Sequence, residues 1–194
     1  MSRDNLLTER ELEILTSVGY LIMKWNYAEY CARQILRRYI SEDSIDMPKH
    51  LQLSSRMAKW IEDELRDKTL PKWGPPGDAH LDRLIEAYSR AREHRNKIVH
   101  GTWMTSDTRG PRPATALLFN SKPVNGKSPH PQFITAADLR PLIDHFADLA
   151  EFSQKVMVAF NADGTLAHNN DGTPVLDVLP TLIGTLPPCT YDIA

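Results

Sequence analysis

Residues 78–101, "DAHLDRLIEAYSRAREHRNKIVHG", decide how the chain is read. Wound at about 100° per residue, Leu81, Ile85, Tyr88 and Val99 fall on one face, the mark of an amphipathic helix. Asp78 stands at its start as an N-cap, and Gly101 lets the backbone leave at its end. The expected helix therefore runs from Asp78 to about Val99. On the same wheel Arg92 and Arg95 lie within about 40° of Leu81 and Asn96 within about 60°. Three polar side chains thus occupy the arc that should be apolar, and His100 sits at its edge. A guanidinium turned inward is costly unless it is paired or faces a wet cleft. One account pairs Arg92 or Arg95 with an internal carboxylate such as Glu29, lets Asn96 tie down a loop, and leaves His100 to the helix dipole. In the other, the last two turns line a cleft or a dimer interface that accepts an anion. Helix geometry alone leaves both open.

Upstream, Thr8 and Glu11 form a capping box that opens a helix to about Tyr39. Its expected apolar face is Leu15, Val18, Ile22, Ala28, Ala32, Ile35 and Leu36, with Tyr20, Met23, Tyr27 and Tyr30 adding apolar bulk around it. "SEDSIDMPKH" punctuates the chain before a second helix over 51–68, with Leu53, Met57, Trp60, Ile61 and Leu65 spaced by threes and fours. Downstream, a proline- and glycine-rich excursion covers 101–132, in which "GTWMT" and "TALLFN" have the content of two short strands, a hairpin being the simplest arrangement. Asp138 is the expected cap of a last long helix to about Phe160, with Pro141 in its first turn and Leu142, Phe146, Leu149, Val156 and Met157 on its buried side. Residues 161–194 have no helical period and two Asp-Gly turn signals, and no internal repeat is evident. They form a tail that packs on the body or a partner, or stays mobile. The expected fold is an all-α bundle of about four main helices over 1–160, with the β-like excursion inserted before the last, followed by the irregular tail 161–194.

Composition bounds the chemistry. The 194 residues are 41% hydrophobic and carry a net charge of −2, ordinary for a globular chain. No basic segment leads into an apolar block at the N-terminus, and the longest apolar run, Val18 to Met23, is far too short to span a bilayer. Two cysteines, Cys31 and Cys189, make no disulfide framework, which suits a reducing cytoplasm. HExxH, paired cysteines and Gly-rich phosphate loops are all missing, so neither a metal nor a cofactor is expected. Charge is uneven along the chain. Residues 90–131 hold eight basic side chains against Glu93 and Asp107, whereas 161–194 hold four aspartates and no basic residue. A local positive segment can meet a phosphate backbone even in a slightly acidic protein, although a solvated basic loop is the more ordinary explanation of such a segment.

Arginine, four residues, then histidine occurs twice, at Arg95–His100 and Arg140–His145. Bare spacing is therefore weak evidence. The first copy carries more: Arg95-Asn96, three residues, His100-Gly101, at the end of an amphipathic helix. In that form "RNKIVHG" resembles the signature of the HEPN superfamily of small helical-bundle proteins, in which an arginine and a polar residue precede a short spacer and a histidine. The resemblance covers these seven residues and the helical order around them, not 101–132 or the tail. It implies a metal-independent endoribonuclease, working as a homodimer with two motifs face to face, often as a toxin with an antitoxin partner or as a defence effector. Other members are non-catalytic nucleotide-binding or interaction modules. In some toxin members a tyrosine four residues beyond the histidine is modified by a partner enzyme; this chain has Met104 there.

The residues suit that chemistry. RNA cleavage without metal uses the 2′-hydroxyl as nucleophile and leaves a cyclic phosphate. It needs a base, an acid and positive charge on the transition state. His100 titrates near pH ~6.5 and serves as base or acid. Arg95 offers a planar fork for phosphate oxygens, and Asn96 reaches ring or phosphate from the same side. Arg90, Arg92 and Lys97 are the expected RNA-backbone contacts. Trp103 is the one tryptophan placed to stack on a base, although a hydrophobic clasp on the helix end is the more ordinary role for it. His94, on the opposite side of the wheel, is expected at the surface.

Overall fold

The structure is a computed structural model that describes residues 9–41, 57–100, 102–105, 116–119 and 132–175. Among these, four α-helices form a bundle: α1 (Glu9–Ser41), α2 (Ala58–Glu64), α3 (Gly77–His100) and α4 (Ala136–Ala159). Between α3 and α4 the excursion contributes three short strands, β1 (Thr102–Thr105), β2 (Ala116–Phe119) and β3 (Gln132–Ile134). The expected strand pair is thus a three-stranded antiparallel sheet in the order β1-β2-β3, with Trp103 opposite Leu118 and Leu117 opposite Phe133.

The longest seam is between α1 and α4, and α3 packs on α4 beside it. Trp25 of α1 lies at the centre, its ring 4.7 Å from Tyr88 of α3 and 6.0 Å from Phe146 of α4. Burying large aromatics against one another is the main apolar term a bundle of this size can draw on. Buried Ile14, Leu21, Trp25, Ala28, Ala32 and Ile35 define the inner face of α1. That face is rotated from the expected one over the first half of the helix, where Leu15 is exposed and Ile14 and Leu21 are buried. Tyr20, Met23, Tyr27 and Tyr30 lie on the outside.

α2 continues through one π turn (Leu65–Thr69) and one 3-10 turn (Leu70–Lys72), so the second helix ends less regularly than its sequence suggests. Its Ile61 and Leu65 are buried, Met57 is exposed, and Leu53 lies outside the described residues. α4 begins two residues before Asp138. Thr135 is the N-cap; its side chain accepts from the Asp138 amide while the Asp138 carboxylate accepts from Thr135 N–H. Asp138 therefore closes a capping box as its third residue, and Pro141 falls inside the helix, where it forgoes the bond to the Ala137 carbonyl. At the other end, the Arg38 guanidinium donates to the Met157 and Phe160 carbonyls, filling acceptors that a helix C-terminus leaves open.

The described part of the tail, 161–175, is regular. Asn-x-Asp-Gly-Thr occurs at 161–165 and again at 169–173, a short repeat where none is expected. Both copies make the same bonds: Asn161 N–H to Thr165 O at 2.9 Å and Asn169 N–H to Thr173 O at 2.7 Å, with Asp163 and Asp171 each accepting from the threonine two residues on. Gly164 and Gly172 take φ of 82° and 81°, which favours glycine. The first turn docks on the bundle. Gly74 N–H donates to Asp163 O, and a Cβ on Gly77 would stand 2.3 Å from Gly164 O, so this close approach requires glycine at 77.

Candidate functional site at the end of helix α3

The first four turns of α3 bury Leu81, Leu84, Ile85, Ala87, Tyr88 and Ala91. Ile98 is buried and Val99, expected on the core face, is 36% exposed. Arg92, Arg95, Asn96 and Lys97 are all half-buried. The arc that should be apolar is thus occupied by polar groups at intermediate depth, not by groups in bulk water.

Each has a definite neighbourhood. Arg92 Nε donates to Glu62 Oε2 at 2.9 Å, an ion pair joining α3 to α2 with side-chain exposures of 16% and 4%. Lys59 Nζ reaches the other oxygen of Glu62 at 3.2 Å. Burial by itself would raise the Glu62 carboxyl; the hydrogen bonds from Arg92, Ser89 and Lys59 outweigh it and hold the pKa below the usual carboxylate value. The carboxylate facing Arg92 is therefore Glu62. Glu29 instead accepts from Trp25 Nε1 at 2.9 Å and pairs with Arg33.

One turn on, Arg95 Nη1 donates to Asn96 Oδ1 at 3.0 Å. Two of the three motif side chains are thus joined, and α3 ends at His100. The His100 side chain falls outside the described residues, as do Gly101 and the Trp103 side chain. Arg90 is exposed and pairs with Glu86 one turn earlier, on the solvent side of α3. The other basic residues of the 90–131 segment, Arg109, Arg112, Lys122 and Lys127, lie outside the described residues.

His94 is not the surface residue expected. It is half-buried, because α4 packs against that side of α3, and it lies electrostatically close to His145. His145 is 5% exposed, and neither ring nitrogen has a hydrogen-bond partner among the described residues. Burial lowers both pKa values; the nearby Lys97 acts in the same direction on His94, and His94 and Arg90 on His145. The surroundings of both rings thus favour their neutral form.

Glu62 and His145 were missed in the sequence, and each had a signal. Ala58, Ile61, Glu62 and Leu65 follow helical spacing, which places an acid in an apolar stripe of α2, as the arginines stand in that of α3. His145 similarly lies among Leu142, Phe146 and Leu149 on the inner face of α4. Tyr88, fully buried, keeps a hydroxyl without a hydrogen-bond partner among the described residues. Burial first, then the Glu29 charge, pushes its ionisation far upward, so it acts as a neutral phenol. Cys31 is a buried free thiol, raised to about 11 by burial, and Cys189 lies outside the described residues.

Among the described residues no group of three or more His, Cys, Asp or Glu could hold a metal ion, and no helix is long and apolar enough to cross a membrane. Comparison with protein-family models, with curated proteins and with solved structures gives no match.

Proposed function

We propose that this chain is a HEPN-like RNA-binding protein that cleaves RNA without metal as a homodimer, in a toxin or defence setting with a neutralising partner. The observation behind the reading is the Arg95–Asn96 pair, joined at 3.0 Å and half-buried on the last turns of α3, with His100 closing the same helix. In this reading Arg95 holds the non-bridging phosphate oxygens, Asn96 fixes the plane of the guanidinium, and two copies of His100 supply base and acid. Arg92 serves the fold through Glu62, while Arg90 and Lys97 face the RNA backbone.

The test is cleavage of RNA in EDTA, with products carrying a 2′,3′-cyclic phosphate. His100→Ala loses the rate by roughly 10²–10⁴-fold, the range for a proton-transfer group, and keeps its helical circular dichroism. Undiminished cleavage by that variant ends the catalytic assignment. One observation favours a second reading, a non-catalytic interaction module: the Arg92–Glu62 pair shows that part of the polar stripe is internal glue. Binding of RNA by the wild-type chain with no cleavage would select that reading.

A further inference from the structure

We propose that the seam between α3 and α4 is a proton-operated latch: with His94 and His145 neutral the last turns of α3 lie against α4, and protonation of the two rings releases them. The position of His145 carries the inference. It lies among Leu142, Phe146 and Leu149 on the inner face of α4 and is 5% exposed. Both its ring nitrogens are buried without a hydrogen-bond partner among the described residues. An imidazole held that way adds no bond to the fold, and a leucine of similar volume would fill the space without stranding two polar atoms. What the ring adds is a place for a proton, in surroundings that oppose the charge it brings.

The neighbours give that charge little to pair with. Burial is the largest obstacle to a proton on His145, and His94 and Arg90, across the seam on α3, add to it. His94 is half-buried, and its Nδ1 is buried without a partner among the described residues. Burial and then Lys97 oppose a proton there, while the exposed Glu93 favours it more weakly. α1 meets this level through Trp25, 6.0 Å from Phe146, with the uncharged Leu21 and Ala28 buried one turn to either side. On α4 itself Asp144 and Asp148 are near in sequence but exposed. Two imidazolium rings beside Arg90 therefore set like charges together in one seam, and separation of the helices relieves them.

The fold also sets where the opening stops. Up to Arg92 the helix is held by Tyr88, its ring 4.7 Å from Trp25, and by the Arg92–Glu62 pair at 2.9 Å. Although burial acts against it, hydrogen bonds keep the Glu62 carboxyl below the usual carboxylate value, so this pair outlasts the imidazoles as the pH falls. Beyond Arg92, Ile98 is the one buried residue among those described on α3. The segment released carries the Arg95–Asn96 pair. What the latch controls thus rests on the nuclease reading, in which acid would dismantle the phosphate-binding fork; the opening itself needs no RNA.

Hydrogen exchange of the full chain between pH 7 and 5, with intrinsic rates divided out, tests the latch. As the pH falls below ~6.5, the amides of 93–99 lose protection by up to about tenfold per pH unit for each ring that titrates, and those of 21–35 in α1 keep theirs. His145→Leu holds 93–99 closed over the same range, as does His145→Met, whose flexible side chain adapts to the site, and His94→Leu recovers part of the protection. Protection at 93–99 that does not change with pH, that falls as far in His145→Leu and His145→Met as in the wild type, or that falls only together with α1 would overturn the proposal. A latch that opens in a chain that cuts no RNA keeps the inference and ends the nuclease reading. RNA cleavage by a chain whose seam stays closed at pH 5 does the reverse.

Discussion

The two halves of α3 share one helix and one exit from the core, yet they solve opposite problems. From Gly77 to Ala91 the inward positions are Leu, Ile, Ala and Tyr, and burial alone holds them. From Arg92 to His100 the same arc carries two guanidinium groups and an amide. There the fold supplies a carboxylate from α2, leaves the remainder at intermediate depth, and turns the apolar load toward Ile98. The contrast is that Arg92 is tied across to α2 through Glu62, whereas the bond from Arg95 to Asn96 stays within α3; the proposal gives the phosphate-binding role to Arg95.

Removing bulk from the first half and charge from the second should both destabilise, by different routes. Leu84→Ala costs about 2–5 kcal/mol through the cavity it leaves. Glu62→Ala costs about 2–3 kcal/mol, because it strands the Arg92 guanidinium at 16% exposure. Replacing Glu62 and Arg92 together by Leu and Met recovers most of the second loss and none of the first, since an apolar pair of similar volume is close to neutral there. Denaturant unfolding of the four chains checks this. A Glu62/Arg92 double variant as unstable as Glu62→Ala would show that the pair is not what joins α2 to α3.

A smaller effect separates the halves by pH. His94 and His145 lie between α3 and α4 with pKa values below the usual ~6.5. An unfolded chain takes up these protons first, so stability is whole above pH ~6.5 and falls as the pH drops through the folded values. His145→Leu flattens that slope between pH 7 and 5; an unchanged slope in thermal unfolding would place the acid sensitivity elsewhere.

Much of this was readable from the chain alone. Three of the four helix positions, the all-α bundle and the strands before α4 follow from period and punctuation, because long amphipathic segments with caps state their own boundaries. The face of α1 did not. Leu15 and Met23 on one side and Ile14 and Leu21 on the other are equally apolar, so nothing in the first half of that helix tells inner from outer until α4 is in place. Partner choice was hidden for a similar reason: Glu29 and Glu62 are both acids in helices near α3, and only the packing of α2 brings Glu62 to Arg92. The Asp-Gly turns at 163–164 and 171–172 were visible singly. Their shared Asn-x-Asp-Gly-Thr frame shows only when the hydrogen bonds are compared.

The most direct measurement sets Arg95 against Arg92 in one assay: single-turnover RNA cleavage in EDTA by Arg95→Lys and Arg92→Lys chains. A lysine at 92 still meets Glu62, so that rate stays within about twofold once both chains are folded. A lysine at 95 loses the planar fork, and the rate falls by roughly 10²-fold. Arg95→Lys cleaving as fast as wild type, or both rates falling together, would contradict the division of the helix on which the account depends.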